Sequence, residues 1–360
     1  MICYKGKKIE FSINGSSHSN SLELVVKGLP KNIEISLKKI EEDLTLRNPK
    51  LFFNTQRNEK DSFNITKGVV SSKTTGEDVC VSFPNNSYDN KPYIKHDGFL
   101  RPSHSDYSQL LLSKQTIPGG GEFSGRMTLP IVFVGSIAKQ ILELKGIRIV
   151  SRIKSVYNLS DKELTEDDYK ILLNLTEEER FFPTITKEFK TKSFEMLKNI
   201  KEAKDTVGGI IETVVINPAS GLGGPGFAGL ESKIASAIYG IPAIKGIEFG
   251  DGFFLSNKKG SEVADEFYLD NNQIKTKTNH NGGINGGVSN GMPITIKCAI
   301  KPVPTIKKPL TSLNYRTQKI ETVVFEGDHD VFVGNRAIPS IEGMVAISLL
   351  DELLWTKKLT

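Results

Sequence analysis

Cysteine is scarce in this chain, and its three copies lie far apart: Cys3, Cys80 and Cys298 offer neither a disulfide framework nor a zinc-ligand spacing. A reducing, cytoplasmic setting is the simplest one for such thiols. Long apolar runs are missing too. No stretch approaches the roughly 18 residues of a membrane-spanning helix, and the opening MICYKGKKIEFSING holds no signal-peptide core, so no membrane partner is expected. Nor is there a large charge excess. Against 42 Asp and Glu stand 47 Lys and Arg, a balance of +5 too small and scattered to call for nucleic acid. A local basic pocket for a small anion remains compatible with it.

What is present is the composition of an ordinary globular protein, 38% hydrophobic and 25% charged over 360 residues. That length suits two average domains or one large one. Short apolar runs at 22–26, 68–71 and 78–83 make the opening third β-rich. Helical spacing over 130–144 predicts a buried helix with Pro130 at its first helical position. The charged stretch 160–180 predicts a surface helix started by a capping pair of Ser160 and Glu163, and 192–207 continues helically. Residues 209–216 read as a buried strand, 231–239 as a short helix, 294–300 as a half-buried strand, and 339–357 as a closing helix. With no linker and no internal repeat, one α+β domain over 1–360 is expected, carrying a charged helical segment near 160–205.

Three glycine-rich stretches stand out: 119–121, SGLGGPGFAG at 220–229 and GGINGGVSNG at 282–291. Dense glycine lets backbone amides approach a ligand, or simply makes tight turns; none of the three fits a dinucleotide fingerprint or a P-loop. His18 in GSSHS and His104 in RPSHSDY are wrapped in hydroxyl residues, which suits either a structural histidine or a general acid in an anionic pocket. Arg47, Arg101 and Arg126 sit beside turn residues, where the guanidinium fork either meets solvent or grips carboxylate and phosphate. Asp328, His329 and Asp330 are metal-ligating types, but adjacent positions rarely point one way and no partner cluster is visible, so no metal is expected.

The order of these strings along the chain narrows the choice. GSSHS is followed by EEDLTLRNP, RPSHSDYS, PGGGEFSGRMT, IPAIKGIEFGDGF, TNHNGGINGGVSNGMPI, AIKPVPTI and GDHDVFVGNRAIPSIEGM, a succession that resembles the chorismate synthase family from end to end. The resemblance implies a β-α-β sandwich with core helices between antiparallel sheets, assembled as a homotetramer. It also implies a lyase of the shikimate pathway of aromatic amino-acid biosynthesis, converting 5-enolpyruvylshikimate 3-phosphate to chorismate by 1,4-elimination of phosphate. Reduced FMN is the implied cofactor, without net redox change, and an association with NADP comes with it. Since no added domain is visible, the reduced flavin is expected from outside. By position, the resemblance makes His18, His104 and Asp330 catalytic, and gives the anionic small-molecule substrate to Ser17, Arg47, Arg101, Ser124 and Arg126. It gives FMN to Ser124, Ala243, Gly286, Lys301 and Thr305.

Several positions depart from the family pattern. Ser16 and Ser19 replace an acid and a glycine beside His18, while Glu122 and Phe123 replace the Arg-Ser after the triplet. Val303 and Pro304 alter the loop after Lys301, Asp328 replaces an arginine, and Phe52 and Phe53 stand where a further arginine is usual. Lys114, Lys245 or Lys297 could restore positive charge. Three readings stay open at this point: an active chorismate synthase, a non-catalytic binding or assembly relative, and an enzyme acting on another anion.

Overall fold

A computed structural model describes residues 1–55, 61–85, 96–327 and 329–358. Its framework is two antiparallel sheets. The first contains β1 (Ile2–Lys5), β2 (Glu10–Asn14), β3 (Ser21–Lys27), β4 (Asn64–Lys67) and β5 (Val79–Pro84), in the order β1-β2-β3-β5-β4. Alternation explains it: Leu22, Leu24 and Val26 face Phe83, Val81 and Val79 across the β3/β5 ladder, and all six are buried. The second sheet contains β6 (Arg148–Val156), β7 (Leu159–Ser160), β8 (Gly209–Ile216), β9 (Ile244–Phe249) and β10 (Ile294–Ile300), in the order β9-β10-β8-β6-β7. Ile294, Ile296, Cys298 and Ile300 of β10 turn inward at every second position.

Seven α-helices stand among the described residues, beside four two-stranded ribbons and several short 3-10 turns: α1 (Leu37–Thr45), α2 (Asp106–Ser113), α3 (Thr128–Glu143), α4 (Glu166–Leu173), α5 (Lys187–Glu202), α6 (Leu230–Tyr239) and α7 (Gly334–Trp355). A helix apolar on all sides must be covered on all sides, and α3 and α7 are the two such helices, buried along nearly their whole length. They form the middle layer. Phe133 of α3 meets Phe83 of the first sheet edge-on at 5.6 Å, while α7 packs on β6 and β8 of the second. Where the helices cross, a Cβ on Gly135 would lie 2.2 Å from the Cα of Gly343, so only glycine admits this approach. The expected sandwich with core helices between antiparallel sheets is therefore observed.

Local differences from the sequence reading have physical causes. Ser160 does not cap a helix: it closes the two-residue strand β7, and α4 begins later with Thr165 and Asp168 as the reciprocal capping pair. The charged segment is thus a strand end and two separate helices. α5 starts at Lys187, capped by Thr186, and stops at Glu202, five residues short of Val207 at the far end of the expected range. α7 begins at Gly334, placing Pro339 inside rather than at its start.

Candidate active site

The loop after β2 carries Ser17 and His18, and a single hydroxyl braces it. Ser19 Oγ accepts from the Ser16 amide at 2.9 Å and lies 2.7 Å from the Ser21 carbonyl, so the serine that replaces glycine supports the turn. The Ser17 amide donates to the Gly121 carbonyl at 3.3 Å, and its hydroxyl lies 2.8 Å from His18 Nδ1. Opposite runs the glycine triplet, with φ of 67°, 85° and 55° at Gly119, Gly120 and Gly121, a path side chains rarely follow. A Cβ on Gly119 would lie 1.9 Å from His18 Cε1; one on Gly120 would lie 3.3 Å from His104 Cε1. Both imidazoles therefore rest against neighbouring residues of one backbone segment.

His104 precedes α2, whose first residue, Asp106, is buried. The Asp106 carboxylate accepts from Arg101 Nε at 2.8 Å, Nη2 at 2.6 Å and the Arg101 amide at 3.0 Å, and lies 2.8 Å from His104 Nδ1. Burial opposes its charge, but His104 and Arg101 hold the Asp106 carboxyl well below the usual carboxylate range. Burial and the charges of Arg101 and Lys301 push the His104 imidazole down, with Asp106 working against them. Lys301 reaches this turn directly, its Nζ donating to the Ser103 carbonyl at 2.6 Å, while its amide is held by the Ala243 carbonyl. Burial and Lys245 lower the Lys301 ammonium. Thr305, also buried, joins Arg101 and Asp106 in lining a cavity of about 70 Å³.

The arginines gather around two carboxylates. Arg47 pairs closely with Asp61, and Arg126 Nη1 lies 3.3 Å from the same group. Arg336, from the first turn of α7, donates to Asp330 at 2.7 Å and to the Arg47 carbonyl at 2.6 Å, while Asp330 also accepts from the Thr55 amide at 3.1 Å. Burial pushes the Arg47 guanidinium down; Asp61 opposes this, and Arg336 and Arg126 add to it. Ser124 caps the turn leading into Arg126 by accepting its amide at 3.3 Å.

The sequence-predicted residues thus separate into connected groups. Ser17 and His18 meet His104 at the glycine triplet, Arg101 and Lys301 act on His104, Ala243 holds the Lys301 amide, Thr305 shares a cavity with Arg101, and Arg47, Arg126 and Asp330 share the arginine cluster. Gly286 sits in another hairpin, whose backbone bonds run to the 220–230 loop through Gly287 and Ser289; it has φ 59° and open space where a Cβ would stand. Asp61, Asp106 and Arg336 were not singled out from sequence, although Asp106 lies within RPSHSDY. Glu122 pairs on the surface with the amino group of Met1. Phe53 packs against Phe182 and Phe194, filling the region of the missing arginine with an aromatic cluster, and Arg336 enters from α7 instead. Of the three lysines considered, Lys245 acts on Lys301, Lys297 faces Glu212 and Glu248 in the ladder, and Lys114 ends α2. The Asp328 change lies outside the described residues.

Comparison with known proteins gives the family and the fold. The family model described as chorismate synthase matches residues 9–354. A chorismate synthase of Pyrococcus abyssi is 36% identical over 355 residues, covering 98% of each chain, and one of Thermococcus kodakarensis is 35% identical over 97% of each. A crystal structure of chorismate synthase superposes with a TM-score of 0.77 at 26% identity, over 98% of this chain and 93% of that one.

Proposed function

The chain belongs to the chorismate synthase family and is a carbon–oxygen lyase of aromatic amino-acid biosynthesis, and on that premise we propose how its residues carry the elimination of phosphate from 5-enolpyruvylshikimate 3-phosphate. The observation that carries the reading is the seating of His18 and His104 against adjacent glycines of one triplet, with Arg101 on one side. Two proton carriers on one backbone segment suit a reaction in which a leaving phosphate and a flavin must each be served.

The substrate bears a phosphate and two carboxylates. Arg47, Arg101 and Arg126 supply fixed positive charge in a site that is largely buried, where such charge acts more strongly than in water. Ser17 and Ser124 offer hydroxyl donors at the loop and turn that flank the triplet. His104 and His18 divide the proton transfers, one to the departing phosphate and one at the flavin, and Asp330, aligned by Arg336 and the Thr55 amide, assists proton movement there.

The residues present fit a reduced FMN. Lys301 offers a cation at the end of β10, Ala243 has a left-handed φ of 72° with its carbonyl fixed on the Lys301 amide, and Gly286 leaves open space for close approach. Thr305 and Ser124 add hydroxyls. Reduced FMN bound there would supply transient electron donation to the elimination, with no net change of oxidation state. Outside supply of that flavin, one homotetrameric domain and a cytoplasmic setting belong to the same reading. Anaerobic turnover with chemically reduced FMN, followed by chorismate absorbance, tests it: product supports the assignment, and its absence at saturating flavin overturns it.

A further inference from the structure

We propose that Asp106 is a positioning residue of this site, which fixes His104 with its hydrogen on Nδ1 and clamps Arg101 to the same carboxylate, so that proton carrier and anion grip are held as one unit. The inference rests on the catalytic reading of His104. It follows from a count of donors. Asp106 receives three hydrogen bonds from Arg101, two from the guanidinium and one from the amide, at 2.6 to 3.0 Å. A carboxylate so placed only accepts, and the His104 nitrogen 2.8 Å away must therefore be the donor. In the neutral ring the hydrogen then sits on Nδ1, and Nε2, on the ring side nearer Gly120, is the atom left to take and give a proton.

Asp106 is 3% exposed and is the first residue of α2, where the amide ends of the helix favour negative charge. Its position is thus set by the fold and not by the ligand. The charged groups that act on His104 are Asp106, Arg101 and Lys301, two cations against one anion. That surplus, with burial, draws the imidazole below its ordinary value. An anion bound at Arg101 would offset one of those cations and so favour the charged imidazole. Asp106 makes this coupling direct, because the same carboxylate touches both side chains.

Asparagine at 106 keeps the shape but loses the charge, and with its oxygen on the side that meets His104 and Arg101 Nη2 its amide nitrogen turns a donor toward the Arg101 amide and Nε. In the full-length enzyme, Asp106→Asn is expected to lower kcat by about 100-fold, in the range of a mispositioned general acid, with FMN affinity changed by less than about threefold. The double variant with His104→Ala should be slower than His104→Ala alone by far less than about 100-fold, because the share that acts through His104 is already lost and only the Arg101 clamp remains. Full additivity, or wild-type kcat with an unmoved pH profile, overturns the proposal. Nitrogen-15 NMR of the unsubstituted protein needs no variant to fold: a neutral His104 with hydrogen on Nδ1 supports it, and hydrogen on Nε2 sinks it. If the unsubstituted enzyme makes no chorismate, the catalytic reading fails while the tautomer result still stands by itself.

Discussion

Lys301 Nζ donates to the Ser103 carbonyl at 2.6 Å, and Ser103 is itself held at φ 59°, a conformation serine seldom takes. The strained turn that presents His104 is therefore pinned by the side chain proposed to meet the flavin.

Replacing that lysine tests both duties. A hydrogen bond to a charged group contributes about 1.5 to 3 kcal/mol, so Lys301→Met should weaken FMN binding by roughly ten- to a hundredfold. Flavin fluorescence titration reads this, and unchanged affinity would remove Lys301 from the flavin site. At saturating flavin, kcat should fall as well, because the His104 turn has lost its pin.

His104→Ala should lower kcat by about 10² to 10⁴, the usual contribution of a general acid or base. FMN affinity should stay within a few-fold, since the ring serves the transition state more than binding. Steady-state kinetics beside a flavin titration separates the two effects.

Asp61 holds Arg47 and Arg126 together, and both cations are largely buried. Asp61→Asn leaves them without a shared counter-ion, a loss of about 3 to 5 kcal/mol for a broken buried pair. Calorimetry should show a lower Tm without ligand and a larger rise on adding the phosphorylated substrate, whose anion replaces the missing charge. A ligand-induced rise no larger than in the unsubstituted protein would separate Asp61 from the substrate pocket.

The helix crossing gives a graded prediction. Gly135→Ala meets the Gly343 backbone at 2.2 Å and must push the helices apart, whereas Gly343→Ala meets Gly135 at 3.3 Å and needs only a small shift. Overpacking costs typically about 1 to 3 kcal/mol or more, so both should lower Tm, Gly135→Ala by several degrees more.

Acid sensitivity follows from groups shifted in one direction. Burial opposes the charge of Asp43, but Lys139 and Arg180 hold its carboxyl down, as His104 and Arg101 do for Asp106. Stabilisation from both is complete above the unfolded value of about 3.9 and is lost as pH falls through their folded values. His104, depressed by burial, binds its proton more readily in the unfolded chain, so stability also declines as pH drops below about 6.5 toward its folded value. Asp43→Asn should lower Tm at pH 7 and flatten its fall below pH 4; an unchanged slope would mean that other carboxylates govern acid unfolding.

The sequence made parts of this site legible and hid others for definite reasons. His18 and His104 could be found because local strings, GSSHS and RPSHSDY, carry them, and the glycine triplet is visible as such. Periodicity found β8 and β10 at their observed bounds, since each is a continuous ladder strand. The ion partners were beyond reach. Asp61 is 65 residues from Arg126, and Arg336 meets the Arg47 carbonyl across 289 residues, separations that no spacing rule joins. The capping pair failed differently: Ser160 and Glu163 have the right spacing, but Ser160 was already committed to pairing with Ser155 in the sheet.

The C-terminal half of α7 also holds the start of the chain. Asp351 accepts the amides of Lys7, Lys8 and Ile9 at 2.7 to 2.9 Å, across more than 340 residues of sequence. A Cβ on Gly6 would strike the same carboxylate. The turn between β1 and β2 therefore has its acceptor only once residue 351 is in place. A chain cut before α7 keeps the β2/β3 ladder but leaves three amides of the β1/β2 turn without their carboxylate, so the two ends of the chain are tied to one another's stability.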